Sequence, residues 1–183
     1  GMAGAALLLL LDNLGKTAEQ QSESVVKVYN EIEWVTILFF VGLFIIIAGV
    51  EHAGLLRLLA DQLLAATGGD FTATGVSILW ASAVLSAIVD NIPFVATMIP
   101  LIKSMGPAFG GGDALLPLWW CLSLGACLGG NGTLIGASAN LTVAGIAERN
   151  GIPFSFATYT KIAFPLMLTH VAISQVYLWW RYF

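Results

Sequence analysis

The stretch SAIVDNIPFVATMIP, residues 86–100, lies inside one of the most apolar regions of the chain, yet it holds an aspartate, an asparagine and two prolines. At the centre of a bilayer a charged aspartate costs about 2.5–3.5 kcal/mol on insertion scales. Pro93 and Pro100 each remove a backbone donor that a continuous helix uses. Irregular backbone at membrane depth is tolerated only where protein or a watery cavity surrounds it. A segment that gathers these residues must therefore turn them toward a site and away from lipid.

The composition around this stretch establishes the membrane. Of 183 residues, 58% are hydrophobic and 10% charged, with 7 basic and 11 acidic side chains; the mean hydropathy is +0.87. Soluble domains carry about 25% charged residues. Five of the acids precede Trp34, so the rest of the chain lacks the polarity to coat a water-soluble globule. The expected fold class is an all-α polytopic membrane protein, with the lipid bilayer as its first partner. No basic run or patch is present, which excludes a nucleic-acid partner. Cys121 and Cys127 lie six residues apart on one apolar segment. On a helix they would be about 9 Å apart along the axis and on different faces, so they read as two small packed side chains and not a disulfide.

Working outward from Asp90, the chain is apolar from Phe71 to Val89, stops at DNIP and resumes as FVATMIPLI before Lys103. A turn at Asp90–Pro93 leaves arms of about 15 and 12 residues, and the second, near 18 Å, falls short of the roughly 30 Å hydrocarbon layer. The spacing predicts a re-entrant helical hairpin over 71–105. Upstream, the leucine run ending at Leu11 is too short to span and lacks a basic n-region and a cleavage site. It reads as the end of a truncated spanning helix, followed through residue 33 by a polar, cytoplasmic loop with helical tendency. A span is expected over 34–50, anchored at the interface by Trp34. Over 54–67, Leu55, Leu56, Leu59, Leu63 and Leu64 recur at helical spacing with Arg57, Asp61 and Gln62 interleaved. That is the pattern of an amphipathic interfacial helix, ended by Gly68 and Gly69.

Downstream, LWWCLSLGACLGGNGTLIGASANLTVAGIAERN, residues 118–150, begins and ends as helix, but its centre does not. Gly129, Gly130, Gly132 and Gly136 cluster among Asn131, Thr133, Ser138 and Asn140. Each interior glycine costs about 1 kcal/mol of helix propensity relative to alanine. A broken helix is expected over 114–149. Its unwound carbonyls and polar side chains would ligate a cation, and its half-helix N-terminus would attract an anion. The last span is expected over 154–181, with Trp179, Trp180 and Tyr182 as an aromatic belt.

Three segments, EWVTILFFVGLFIIIAGVEHAGLL (33–56), AIVDNIPFVATMIPL (87–101) and LGACLGGNGTLIGASANLTVAGIAERNG (124–151), occur in order. Together they resemble the second half of the arsenite permease and NhaD-type sodium–proton antiporter family. That family is related to the melanosomal P protein and belongs to the ion transporter superfamily with the citrate and dicarboxylate carriers. The resemblance implies a fold of two inverted repeats, each with an interfacial helix, a re-entrant hairpin and a broken helix. This chain supplies one of them. It also implies an ion- or substrate-binding tip at Asp90, Asn91, Ile92 and Pro93, facing a broken-helix centre at Gly130, Asn131, Gly132, Thr133, Ser138 and Asn140. Carboxylate-transporting relatives carry Ser-Asn-Thr at the tip, where this chain has Asp-Asn-Ile. An acidic tip suits cation or proton handling better than contact with a dicarboxylate. The N-terminal repeat is missing, so the expected partner is that repeat or a second, homo-oligomeric copy.

Other readings of the same residues stay open. Asp90 can cap the second hairpin arm as well as hold an ion. The glycines can serve close helix packing. His170 reads as a polar packing residue on the last helix, and His52, Arg57 and Lys103 as solvated interfacial groups. With residues 12–33 and 148–161 inside, four basic residues (Lys16, Lys27, Arg149, Lys161) face the cytoplasm and three (Arg57, Lys103, Arg181) face outward. The expected function is secondary active transport of a small inorganic ion, by sodium–proton exchange or anion permeation, in the cell's inner or plasma membrane. The alternative is a non-transporting fragment or accessory subunit. No enzymatic activity is expected: an intramembrane aspartyl protease needs two membrane aspartates, and only Asp90 qualifies. No cofactor and no resident metal are expected; the coupling ions to consider are Na+ and H+.

Overall fold

In the computed structural model, residues 2–30, 32, 34–152 and 155–183 are described. The expected ends at Gly1, Glu33 and Phe154 lie outside them. The described residues form helices joined by turns, with no strand among them, as the composition predicts.

The chain divides into two compact units, residues 1–43 and 44–183. The first holds α1 (Met2–Asp12) and α2 (Ala18–Asn30) and ends within α3 (Trp34–His52). The α1–α2 turn is tied by a polar cluster: the Lys16 ammonium lies 2.7 Å from Asp12, whose carboxylate also accepts from Ser24 at 2.9 Å. At the start of α3, Trp34 donates its indole N–H to the Tyr29 carbonyl at 3.2 Å, and the two rings lie tilted against each other with centroids 5.3 Å apart.

The second unit opens with a sharp bend. The helical segments Ile37–His52 and Leu55–Ala66 meet at 64°, and the latter is α4. Gly54 makes the bend, holding a left-handed φ of 77° that a side chain would strain. Two described segments are long and apolar enough to cross a membrane unaided, Gly112–Gly129 and Phe156–Tyr182.

Between them and α4 lie α5 (Phe71–Ser86) and α6 (Asn91–Ser104). At 1.5 Å per residue they are about 24 and 21 Å long, both short of the hydrocarbon thickness. Asp70 caps α5 by accepting from the Ala73 N–H at 2.6 Å. The short α7 (Gly106–Phe109) and a 3-10 turn at Gly112–Leu115 lead into α8 (Leu116–Gly129). After a non-helical segment come α9 (Ser138–Arg149) and α10 (Phe156–Tyr182).

The centre of this unit is α8, on which α5, α6 and α10 all pack. The arms α5 and α6 barely touch each other; each rests on α8 instead. Ile78, Leu79, Leu118, Met167, Val171 and Leu178 are almost fully buried in this core. Apolar side chains gain little by leaving lipid for protein, so close packing and hydrogen bonds must hold such helices together. Small residues provide the approach. A methyl group on Gly125 or Gly129 would overlap the Leu79 or Ala83 carbonyl oxygen of α5. Along the same seam Ser86 donates its hydroxyl to the Ala126 carbonyl at 2.8 Å, fully buried. Trp80 of α5 also donates to the Gln175 side-chain oxygen of α10 at 2.6 Å.

Candidate functional site

The site is built where α5 ends, α6 begins and the helix after α8 is interrupted. Helical geometry stops at Gly129 and resumes at Ser138. The intervening segment folds back on itself, so that a Cβ on Gly136 would lie 2.7 Å from the Gly130 carbonyl oxygen and 3.0 Å from that of Ser86. Gly132 is wedged between Met167 of α10 and Ala87 just after α5, with a Cβ there falling 2.9 Å from the Met167 methyl. Both readings of the glycines hold at once: they sit at or within the break, and they allow its close packing.

Asp90 caps α6, its Oδ1 accepting the Ile92 N–H at 3.0 Å. Its second oxygen, Oδ2, accepts the Ser138 N–H at 3.2 Å, at the first residue of α9. One carboxylate therefore joins the N-termini of two helices, one on each side of the site. Each terminus carries unpaired amides and roughly half a positive charge. Ala137, the residue before α9, has no side chain able to cap it, so Asp90 does so from 48 residues away in sequence. Pro93 is the third residue of α6. An N–H there has no partner within the helix, so the proline costs no hydrogen bond. Ile92 points outward, 46% exposed, while Asn91 is half-buried at the tip.

On the broken-helix side the polar groups divide into staples and free groups. Thr133, 8% exposed, donates its hydroxyl to the Ala87 carbonyl and accepts the Gly136 N–H at 3.1 Å. Asn140 spends its amide on the Gly130 and Thr133 carbonyls, at 2.9 and 3.0 Å. Thr133 and the Asn140 nitrogen thus hold the loop's shape. The side chains of Asn131 and Ser138 are exposed beside this loop. Gly130 and Gly132 are buried and contribute backbone alone.

Sequence reasoning missed three contributors: Tyr159, Ser86 and Gly125. Tyr159 of α10 donates its hydroxyl to the Asn131 carbonyl at 3.2 Å. Gly125 had a visible signal in its spacing of four from Gly129, the small-xxx-small pattern of close helix pairs. His170 is not packed among neighbours; it is exposed, and its Nδ1 pairs with the Leu166 carbonyl one turn back at 2.8 Å. Replacing Tyr159 with Phe should lower stability by about 0.5–1.5 kcal/mol, the net worth of one hydrogen bond. Thermal unfolding in detergent measures this, and an unchanged midpoint would show that the bond does not restrain the loop.

Comparison with known proteins bears on this geometry. Residues 17–125 match the citrate transporter family, CitMHS, and so include the α5–α6 turn at Asp90 and α8 up to Gly125. The chain belongs to that family. It is 40% identical to an uncharacterized transporter of Mycobacterium bovis over 182 residues, which cover all of this chain and 40% of that protein. It is 43% identical to the P protein of Mus musculus over 156 residues, 82% of this chain and 19% of that one. A 46 kDa membrane protein of Mycobacterium leprae is 36% identical over 182 residues. The chain thus spans about 40% of the length of its mycobacterial relatives. No solved structure matches it. This citrate transporter family member is an integral membrane protein of a transporter family and not an enzyme.

Proposed function

We propose that the chain forms one half of the ion pathway of a secondary active transporter, and that the junction at Asp90 binds the coupling cation. The observation that carries this reading is the double cap: Asp90 lies between the N-termini of α6 and α9 and bonds to both. A tethered carboxylate already neutralises the two positive helix ends, so a carboxylate substrate such as citrate would meet a like charge there. A cation would instead find the Asp90 oxygens, the Asn140 Oδ1 and the side chain of Asn131. Na+ and H+ are the two ions this set suits, and sodium–proton exchange follows if both compete for Asp90. Anion permeation is the second reading. It is favoured by the same two helix N-termini, which would accept a substrate anion if Asp90 swung aside.

In this reading residues 71–105 form a re-entrant hairpin with its tip at mid-membrane, and an inverted second repeat faces it across the site. The short arms and the polar tip support it. One repeat alone offers half of the ligands and would leave polar backbone against lipid, at several kcal/mol per unsatisfied group. The partner is the other repeat or a second copy in the opposite orientation, in the cell's inner or plasma membrane. A non-transporting accessory role is the remaining alternative.

The test is ion-dependent flux in proteoliposomes, first with this chain alone and then with the remainder of a full-length relative supplied. Flux is expected only in the second case. Robust flux from a demonstrated monomer of this chain would overturn the requirement for a second repeat. No flux from either preparation would favour the accessory role.

A further inference from the structure

At the far end of α6 from Asp90, a cleft of about 370 Å³ opens between α4 and the α6–α7 junction. Its lining brings Arg57 and Asp61 of α4 together with Lys103, Ser104 and Pro107. Twelve residues of helix separate Asn91 from Lys103, about 18 Å, so this cleft is distinct from the ion site. Its volume lies in the range of small-ligand sites. Two cations and one acid line it. Neither cation is paired, since among the described residues the one ion pair is Lys16–Asp12. Ser104 is committed to the Leu101 carbonyl at 2.7 Å. The cleft is left with a net positive charge, from two different elements, open to an anion.

We propose that this cleft seats the headgroup phosphate of an anionic phospholipid. Two features select a lipid over a free anion. The bend at Gly54 turns α4 away from α3 by 64°. Around α4, Leu55, Leu58 and Leu59 remain 47%, 53% and 43% exposed, with Leu58 directly beside Arg57. Apolar surface that flanks basic side chains on a helix of this kind is the pattern of binding at a lipid interface. The long side chains of Arg57 and Lys103 can then reach a phosphate while their stems lie on apolar surface. A phospholipid bound here would link α4 to α6, two helices that already pack on each other.

The experiment is titration of the detergent-purified chain with phosphatidylglycerol, with phosphatidylcholine and inorganic phosphate as separate arms. Bound lipid is read by native mass spectrometry, and helix content by circular dichroism. Phosphatidylglycerol should bind preferentially. Arg57→Gln and Lys103→Gln should each weaken it about fivefold, and the pair about 25-fold. Asp61→Asn should tighten it; this gain keeps the test decisive if the double variant misfolds. Equal binding of phosphatidylcholine, indifference to all three substitutions, or equal competition by millimolar inorganic phosphate would overturn the assignment.

Discussion

Asp90→Asn should abolish cation-coupled flux while leaving the helices folded. Asparagine is as good a helix N-cap as aspartate, so the bond to the Ile92 N–H survives. What it cannot do is accept twice. An asparagine that accepts from Ile92 turns its NH2 toward the Ser138 N–H, donor against donor, and the link between the hairpin tip and α9 is lost. It also removes the formal charge. A hydrogen bond to a charged group is worth about 1.5–3 kcal/mol, and a loss of that size in the cation's interaction weakens its binding by about 10- to 150-fold. Thermal stability should fall by no more than about 1–2 kcal/mol. The measurement is sodium-dependent binding and flux in liposomes supplied with the remainder of a full-length relative, beside circular dichroism on the same preparation. Wild-type ion binding in the variant would remove Asp90 from the ion pathway, and collapse of helix content would make it purely structural.

Gly129→Leu carries the second large effect, here on stability. The Cβ alone would overlap the Ala83 backbone, and the remaining carbons would drive α8 off α5. Overpacking costs about 1–3 kcal/mol. Separation of the seam would also break the Ser86–Ala126 and Thr133–Ala87 bonds, each worth about 0.6–1.7 kcal/mol within a membrane. The expected total is roughly 2–6 kcal/mol, a large part of the stability of an ordinary domain. Gly145→Ala is the control, since a Cβ there meets nothing within 4 Å. It should be neutral, or stabilising by up to about 1 kcal/mol, as expected for alanine in a helix. Urea or SDS titration compares the two. A Gly129→Leu variant as stable as wild type would show that the α5–α8 contact does not hold the fold.

The parts of this architecture that the sequence announces are those where a residue contradicts its surroundings. Asp90 and two prolines in an apolar run, and a cluster of glycines with asparagine and threonine, stand out because burying them without purpose is costly. They mark the end of one helix and the break in another to within a few residues. Pairing is different. Nothing local says that the second Asp90 oxygen reaches Ser138, or that Thr133 spends its hydroxyl on Ala87, because both bonds join residues more than 40 positions apart. The same blindness hides the bonds that the Asn140 nitrogen makes to the Gly130 and Thr133 carbonyls. Tyr159 was invisible for a related reason: an aromatic near a helix start resembles an interfacial anchor until its hydroxyl is seen on the Asn131 carbonyl.

Two backbones that meet without an intervening side chain have no room to slip by a fraction of a residue. The Leu79 and Ala83 carbonyls of α5 sit against the bare Cα atoms of Gly125 and Gly129 in α8, and one helix can pass the other only in jumps of a whole turn, about 5.4 Å. The pair therefore behaves as a single stiff spar. Asp90 follows one of its members and the loop from Gly130 to Ala137 follows the other, both at the same end. If the proposed ion binds there, it would travel as cargo in a closed hand: motion exposing it to the opposite side of the membrane would have to carry the spar entire. The flexing would then fall to the glycine elbow at Gly54, where the helix already bends by 64°.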